Sequence, residues 1–501
     1  MNVLFSKTQR AYKTKKPQHS AFGITNPPTN SPTRQSTNPP IHQFTNPPIF
    51  GAVNIIFKTF TIRNAFSYFR GMVNTEQLYK YFLESQLVST DTRNLPLECI
   101  FFALKGPSYN GNLFAMQALE NGASYAVVDE NVGDDPRLLR VENVLKSLQE
   151  LATYHRQVLD IHVLSITGSN GKTTTKELCH AVLKKDFEAI ATIGNLNNHI
   201  GVPLTLLRLS DEHDFAIVEM GANHQKEIAE LCQIAQPDYG LITNIGKAHL
   251  EGFGGIEGVK KGKGEMYDYL RSAGGLIFVH LDNTMLREQL RGYDSIVTYG
   301  ESTQAQYRGG IVPSLTTNLE VEITHPFELN IKTKFTGDYN FQNIMCAVAI
   351  GAHFGVDPYD IKEAIENYIP DNQRSQIIKK DQLTIVQDAY NANPSSMKAA
   401  LDNFKKHFSG SKIVALGEML ELGNAAADEH LKVAEEAAEL SEATLLLVGK
   451  LFEAPSKKIK SLHFESSQQC MEWLKENKPT SGSILIKGSR GSQMEKLMEA
   501  F

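Results

Sequence analysis

The run Val163-Leu164-Ser165-Ile166-Thr167-Gly168-Ser169-Asn170-Gly171-Lys172-Thr173-Thr174-Thr175 constrains this chain more than any other segment. A β-branched, apolar stretch ends at Thr167, and two glycines then bracket a short polar loop. Beyond Thr175, Lys176-Glu177-Leu178-Cys179-His180-Ala181-Val182-Leu183 continues as a helix. A strand, a glycine loop and a helix in that order aim several backbone N–H groups and a helix N-terminus at phosphate. Lys172 adds positive charge for the β- and γ-phosphates, and the Thr173 hydroxyl can ligate Mg²⁺. The longer phosphate-loop pattern would need a glycine at Ile166, so the spacing here is the shorter G-x-x-G-K-T. A glycine turn with a solvated lysine is the competing reading. The flanking strand and helix favour nucleotide phosphate.

Around this loop, short apolar runs alternate with helical spacing. Strands are expected at His162–Thr167, Phe215–Glu219, Tyr239–Thr243, Leu276–Val279 and Ser295–Tyr299. That alternation predicts a doubly wound, mostly parallel sheet, and the strand-like stretch Gln306–Lys334 reads as an antiparallel addition. After Pro370, strands at Leu383–Gln387, Ile413–Leu416, Thr444–Val448 and Ile484–Ile486 alternate with helices, so a second open α/β sheet is expected. Before the loop, Thr75–Leu83 and Leu113–Asn121 have helical spacing, while Cys99–Leu104 and Tyr125–Val128 read as strands. The expectation is an α/β protein of three domains: a small N-terminal domain over 72–150, a central sheet over 151–368 and a C-terminal Rossmann-like domain over 369–501. A length of 501 residues suits about three domains.

Residues 1–71 read differently. Thr-Asn-Pro-Pro occurs at Thr25, Thr37 and Thr45, and the segment holds nine Lys or Arg and no Asp or Glu. Such a segment cannot bury a core, so it is expected to be disordered. An acid-free basic N-terminus resembles an organellar transit peptide, but a start at Met72 preceded by translated repeat DNA is the preferred expectation. The remainder carries 41 basic against 56 acidic residues, which argues against nucleic acid as a partner. The five cysteines are far apart and form no C-x-x-C pair, as expected of reduced thiols in a cytoplasm. No apolar run reaches membrane-spanning length, so no membrane insertion is expected.

Two further strand ends carry chemistry. Phe215-Ala216-Ile217-Val218-Glu219 ends in a carboxylate. Ligands of open parallel sheets sit beyond strand C-termini, so Glu219 and the glycine loop share one edge, where a carboxylate can hold Mg²⁺. A solvated or capping Glu is the competing reading. Leu241-Ile242-Thr243-Asn244-Ile245-Gly246-Lys247-Ala248-His249 ends at the same edge, with His249 either a second metal ligand or a structural histidine. Gly258-Val259-Lys260-Lys261-Gly262-Lys263 then supplies a lysine run, either a solvated face or counter-charge for a triphosphate.

Taken in order, these motifs resemble the Mur ligase family of ATP-dependent amide ligases. The chain has the family's G-x-x-G-K-T loop, Glu219, Ala248-His249-Leu250-Glu251, the lysine-rich turn and Gly337-Asp338-Tyr339-Asn340-Phe341-Gln342-Asn343. The resemblance runs from about Val73 to Phe501. Finer features resemble the branch that adds a D-alanyl-D-alanine: Gly194-Asn195-Leu196-Asn197-Asn198-His199, with His199 where Glu is common, and Asp388-Ala389-Tyr390-Asn391-Ala392-Asn393-Pro394. Leu416-Gly417-Glu418-Met419-Leu420-Glu421-Leu422-Gly423, His430 and Lys487-Gly488-Ser489-Arg490 match as well. Asp91-Thr92-Arg93 matches at the uridine site, whereas the family's Asp-Gly-His is here Asn110-Gly111-Asn112.

The resemblance implies ATP and Mg²⁺ as cofactors and UDP-N-acetylmuramoyl-tripeptide and D-alanyl-D-alanine as substrates, in a cytoplasmic monomer. It implies that Gly168, Ser169, Asn170, Gly171, Lys172, Thr173 and Thr174 hold phosphate, with Asn340 at the base. Arg374 would contact phosphate and Asp388 the ribose. Thr173, Glu219, His249 and Lys263 would serve metal, Lys263 as a carbamate. Lys172, Glu219, His249, Lys263 and Arg374 would carry catalysis. Asp91, Arg93, Asn195, Asn197, Asn198, Tyr390, Asn391, Asn393, Lys487 and Arg490 would position the substrates. An amide ligase with another amino donor and a phosphate-loop ATPase switch remain the alternatives.

Overall fold

A computed structural model of the chain describes residues 71–313, 317–370 and 376–501. The 1–71 segment, apart from Gly71, and Arg374 lie outside the described residues, so the expectations for them are not addressed by it.

Three larger sheets follow one another along the chain, with a two-stranded hairpin, Lys105–Gly106 against Tyr109–Asn110, beside the first. The first has four parallel strands in the order Val88–Ser89, Ile100–Phe102, Tyr125–Val128, Leu138–Arg140. The helical run expected at Leu113–Asn121 is a 3₁₀ turn, Gly111–Phe114, followed by the helix Ala115–Glu120. The Asn110 side chain accepts from the Asn112 N–H and opens that turn. Helix Val144–Leu159 then carries the chain across position 150 without a break. Its N-cap Asn143 accepts from the Lys146 N–H, and Leu148, Leu151, Ala152 and His155 form its buried face.

The second sheet has nine strands. Its parallel part runs Ala189–Ala191, Phe215–Glu219, His162–Thr167, Tyr239–Ile242, Leu276–His280, Ile296–Gly300. Tyr307–Val312 continues it in parallel, and Glu320–His325 and Leu329–Lys332 add two antiparallel strands. The central strands are buried on both faces, which is why they read as continuous Val, Ile and Leu. Ile166 pairs with Glu219 and Thr167 with Ile242, so the phosphate loop, the carboxylate and the Asn244–His249 turn leave the sheet along one edge.

The third sheet runs Gln376–Lys380, Gln382–Asp388, Ser481–Lys487, Lys412–Gly417, Ala443–Val448, Leu462–Phe464, with Gln376–Lys380 antiparallel at one edge. Helix Pro394–His407 starts with a full capping box at Asn393 and a proline at its first position.

The cores show how the sheets are joined. One apolar cluster takes Ile100, Phe102 and Leu139 from the first sheet and Val163, Val218 and Ile242 from the second, with Leu148 and Leu151 between them. The third sheet keeps its own clusters on its two faces, around Phe404 and Leu416 and around Ile385 and Cys470. All five cysteines are buried and free.

Candidate functional site

A cleft of about 750 Å³ opens along the edge where the phosphate loop leaves the central sheet. It is lined by Ser169–Thr174, by the 194–199 loop, by Glu219 and the residues after it, by the turn at His249, and by Asp388–Asn393 and Lys487 of the third sheet.

The phosphate loop is held from three sides. Gly168 has φ +146° and Gly171 φ +79°, and a Cβ on Gly168 would stand 1.9 Å from the Thr243 Oγ1. Asn244 accepts the Asn170 N–H at 3.0 Å, and Thr243 donates to the Asn170 carbonyl at 2.5 Å. Lys172 folds back and donates to the Gly168 carbonyl at 2.8 Å. Thr173 donates to Glu219 Oε2 at 2.9 Å, and Asn197 donates to Glu219 Oε1 at 2.8 Å. Glu219 is 2 % exposed. A carboxylate so buried needs compensation, since removing a charge from water costs several kcal/mol. Two neutral donors give part of it. A divalent cation seated on Thr173 and Glu219, completed by phosphate and water, would give the rest, and the oxygen donor set fits Mg²⁺. Among the described residues no group of three His, Cys, Asp or Glu side chains forms a metal cage by itself.

His249 lies on the cleft wall at the start of the turn after Ile242, in left-handed backbone conformation. Its Nδ1 is paired with the Glu421 carboxylate from the third sheet's side. Lys263 is not on the cleft surface. It is buried behind the wall, where Nζ donates to the Ala222 carbonyl at 3.2 Å and lies 5.2 Å from the Phe253 ring centroid. Burial first, and then the nearby Lys172 charge, push the Lys263 ammonium well below the usual lysine range. Both effects raise the share of free amine, and the free amine is the form that adds CO₂ to give a carbamate.

Several expected contact residues are occupied within the protein. Asn340 donates to the Thr336 carbonyl and accepts from Asn343, which also accepts from Thr175. Asn340 thus shapes the turn that carries Tyr339, Gln342 and Asn343 onto the cleft wall. Asn198 accepts from the Ile200 and Gly201 N–H groups at the start of a helix and lines the cleft together with Asn195, Asn197 and His199. Asn391 accepts from the neighbouring Ala392 N–H. Asn393 caps its helix and donates to the Asn170 Oδ1 at 2.7 Å, joining the third sheet to the phosphate loop. Lys487 and Asp388 are cross-strand partners in the sheet and form an ion pair at 2.5 Å, with Lys487 buried and Asp388 half-buried. Arg490 stands 5.9 Å from the Tyr390 ring centroid and is absent from the cleft lining, whereas Tyr390 is part of it.

Asp91 and Arg93 lie apart from this cleft, on the first sheet's rim, and pair with each other at 2.7 Å. The Arg93 hydrogen bonds hold the Asp91 carboxyl down to about 2. Asn112 takes a buried place there, donating to Asp129 and accepting from its N–H.

Sequence reasoning missed four contributors. Glu227 and Glu230 lie on the cleft wall beside Leu231, with no motif to mark them. Thr192 accepts the Glu219 N–H and so fixes the carboxylate's strand end. Glu421 stood within a recognised motif, but only the packing brings it to His249.

A phosphate loop facing a buried carboxylate, with a second α/β sheet closing the cleft from across it, is the layout of an α/β enzyme that uses a nucleotide. The Mur ligase middle domain matches residues 166–351, and the Mur ligase glutamate ligase domain matches residues 373–490. The UDP-N-acetylmuramoyl-tripeptide–D-alanyl-D-alanine ligase of Bacillus subtilis is 33% identical over 455 residues, 88% of this chain and 97% of that protein. The Escherichia coli ligase of the same name is 34% identical over 430 residues, 82% of this chain and 93% of that protein. A crystal structure of MurF from Acinetobacter baumannii superposes with a TM-score of 0.76 at 32% identity, covering 82% of this chain and 92% of that one. MurF from Thermotoga maritima in complex with ADP superposes with a TM-score of 0.74 at 25% identity, covering 84% and 97%. The chain belongs to the Mur ligase family.

Proposed function

We propose that the chain joins D-alanyl-D-alanine to UDP-N-acetylmuramoyl-tripeptide, using ATP, in the cytoplasmic assembly of peptidoglycan precursor. The observation that carries this reading is the Asp388–Asn393 segment across the cleft from Gly168–Thr174, in a chain whose relatives of that name align over most of their length. Residues 72–150 would receive the UDP end, with Asp91 and Arg93 on its rim. Residues 151–368 would hold ATP, and residues 369–501 the dipeptide.

The chemistry is phosphoryl transfer to a carboxylate followed by attack of an amine, with phosphate released. Catalysis of such a transfer is mainly positioning and charge neutralisation. The 168–174 amides and Lys172 would grip the β- and γ-phosphates once Lys172 leaves the Gly168 carbonyl. Mg²⁺ would neutralise phosphate charge, held by Thr173 and Glu219, with His249 and a carbamylated Lys263 serving a second ion. Asn197 steadies Glu219. Tyr390, Asn391 and Asn393 would place the dipeptide, while Asp388 and Lys487 keep a charged floor beneath it. Arg374 would reach phosphate, and the chain would act as a monomer.

A coupled phosphate-release assay tests this. Release is expected only when ATP, a UDP-muramoyl tripeptide and D-alanyl-D-alanine are all present. Release with ATP alone would indicate a nucleotide switch. A stronger response to another amine would move the chain to a different amide ligase. Running lysine- and diaminopimelate-containing tripeptides side by side decides the third residue.

A further inference from the structure

His249 and Glu421 come from different sheets, and each has a backbone that side-chain-bearing residues seldom adopt. His249 has φ +53° and Glu421 φ +61°. Backbone held there needs support from its surroundings, and such positions concentrate at functional sites. The support is mutual. The Glu421 carbonyl accepts the Glu251 N–H at 3.2 Å, and Gly423 is packed closely enough that a Cβ would stand 3.1 Å from the Glu251 Cβ. The two turns are thus zipped together, and the Glu421 carboxylate meets the His249 Nδ1. A carboxylate only accepts, so Nδ1 carries the proton in this pair, and in the neutral imidazole that leaves the lone pair on Nε2. His249 lines the cleft and Glu421 does not.

We propose that Glu421 is a positioning residue: the C-terminal sheet supplies the carboxylate that orients the His249 imidazole and leaves Nε2 as the electron-pair donor of the cleft. The nitrogen that can serve metal is thereby set by the docked arrangement of the two sheets. A ligating histidine usually donates its other N–H to a carboxylate or carbonyl, which fixes tautomer and ring orientation. Here that partner comes from the third sheet's side, and Leu250, next to His249, packs against both the central cluster and the third sheet's cluster. This role for Glu421 rests on the ligase reading above.

The experiment uses the full chain with ¹⁵N-ring-labelled histidine, as wild type, Glu421→Gln and Glu421→Ala. Its readouts are the His249 ring shifts without substrates and the half-saturating Mg²⁺ concentration for phosphate release. Wild type should show His249 as one tautomer protonated at Nδ1. Glu421→Ala should show mixed tautomers and require about tenfold more Mg²⁺, in the range known for lost outer partners of metal ligands. Glu421→Gln keeps an acceptor oxygen and should stay within about threefold of wild type. In a His249→Ala background, Glu421→Ala should add nothing, because the two act as one unit. Unchanged ring shifts in Glu421→Ala, equal defects in the Gln and Ala variants, or additive effects in the double variant would each overturn the proposal. Absence of ligand-dependent release in wild type would instead overturn the ligase reading, and the ring shifts would still decide the role of Glu421.

Discussion

Glu219 and Lys172 occupy opposite sides of the phosphate loop, and both hold loop partners that a nucleotide would replace or recruit. Lys172 donates to the Gly168 carbonyl, and Glu219 accepts from Thr173. Lys172→Ala and Glu219→Ala are expected to lower ligand-dependent phosphate release by at least about a hundredfold, as removal of transition-state charge partners does. Far-ultraviolet circular dichroism should stay at the wild-type level, and full activity in either variant would refute the site. Lys263 carries a second residue-scale prediction. Its burial lowers its proton affinity and raises the share of free amine, so ¹³C-bicarbonate should give a carbamate resonance that Lys263→Met lacks. His430 bears on stability rather than chemistry. It accepts the Met419 N–H through Nε2 and meets the Ala426 carbonyl through Nδ1, so it is held neutral, and burial lowers its proton affinity. The unfolded chain takes up that proton near the ordinary value of 6.5 while the folded chain resists it. The stabilisation is therefore complete above 6.5 and is lost as pH falls through the lowered folded value. The urea midpoint should drop from about pH 7 to about pH 5.5, and a flat or rising midpoint would contradict this account.

Among the elements, the phosphate loop and the helix Phe341–His353 are joined by one tight approach. A Cβ on Gly171 would come within 2.7 Å of the Asn343 Oδ1, and Gly171 has φ +79°. Asn343 is itself tied to Thr175 and Asn340, so it has little room to give. Gly171→Ala is expected to weaken ADP binding by more than about tenfold in calorimetry, since the left-handed backbone alone costs about 1–2 kcal/mol. Gly274→Ala is the control. It has a similar φ of +72° with nothing near its Cβ position, so it should lose some stability and no affinity. Elements were also where the sequence was most legible. His162–Thr167 and Phe215–Glu219 are strands with the expected ends, because uninterrupted β-branched runs bounded by glycine or polar turns have few other solutions. Ala189–Ala191 and Gln376–Lys380 were not expected. Both are sheet edges of weak local preference that pairing with a neighbour stabilises.

Across the whole molecule, the two seams of the central sheet differ in kind. The first sheet shares an apolar cluster with it, running from Phe102 through Leu148 to Val218. The third sheet meets it largely through polar groups: Asn393 with Asn170, Lys247 with Glu429 at 2.5 Å, Lys406 with Asp338 at 2.5 Å, and His249 with Glu421. Polar seams of this kind permit relative motion, whereas a shared core resists it. Paired surface charges are also screened by salt. Asp338→Lys should therefore open the third sheet away from the cleft and raise the radius of gyration in small-angle scattering, most at low salt, where its repulsion of Lys406 is least screened. The first sheet should stay in place. An unchanged radius in Asp338→Lys would count against a hinged third sheet.

Local elements and the chemistry they carry could be read from residue order alone, because strand and helix periodicity and glycine spacing act over a few residues. Residue order therefore placed Gly168–Thr174, Glu219 and His249 at one sheet edge. Only the tertiary structure decided which polar side chains remain for ligands and which are taken by the protein. Asn340, Asn393 and Lys487 turned out to hold Thr336, Asn170 and Asp388. Lys263 lies behind the cleft wall, and Glu421 reaches His249 across 172 residues of chain. Those outcomes depend on contacts between distant segments, and such contacts leave no period in the sequence.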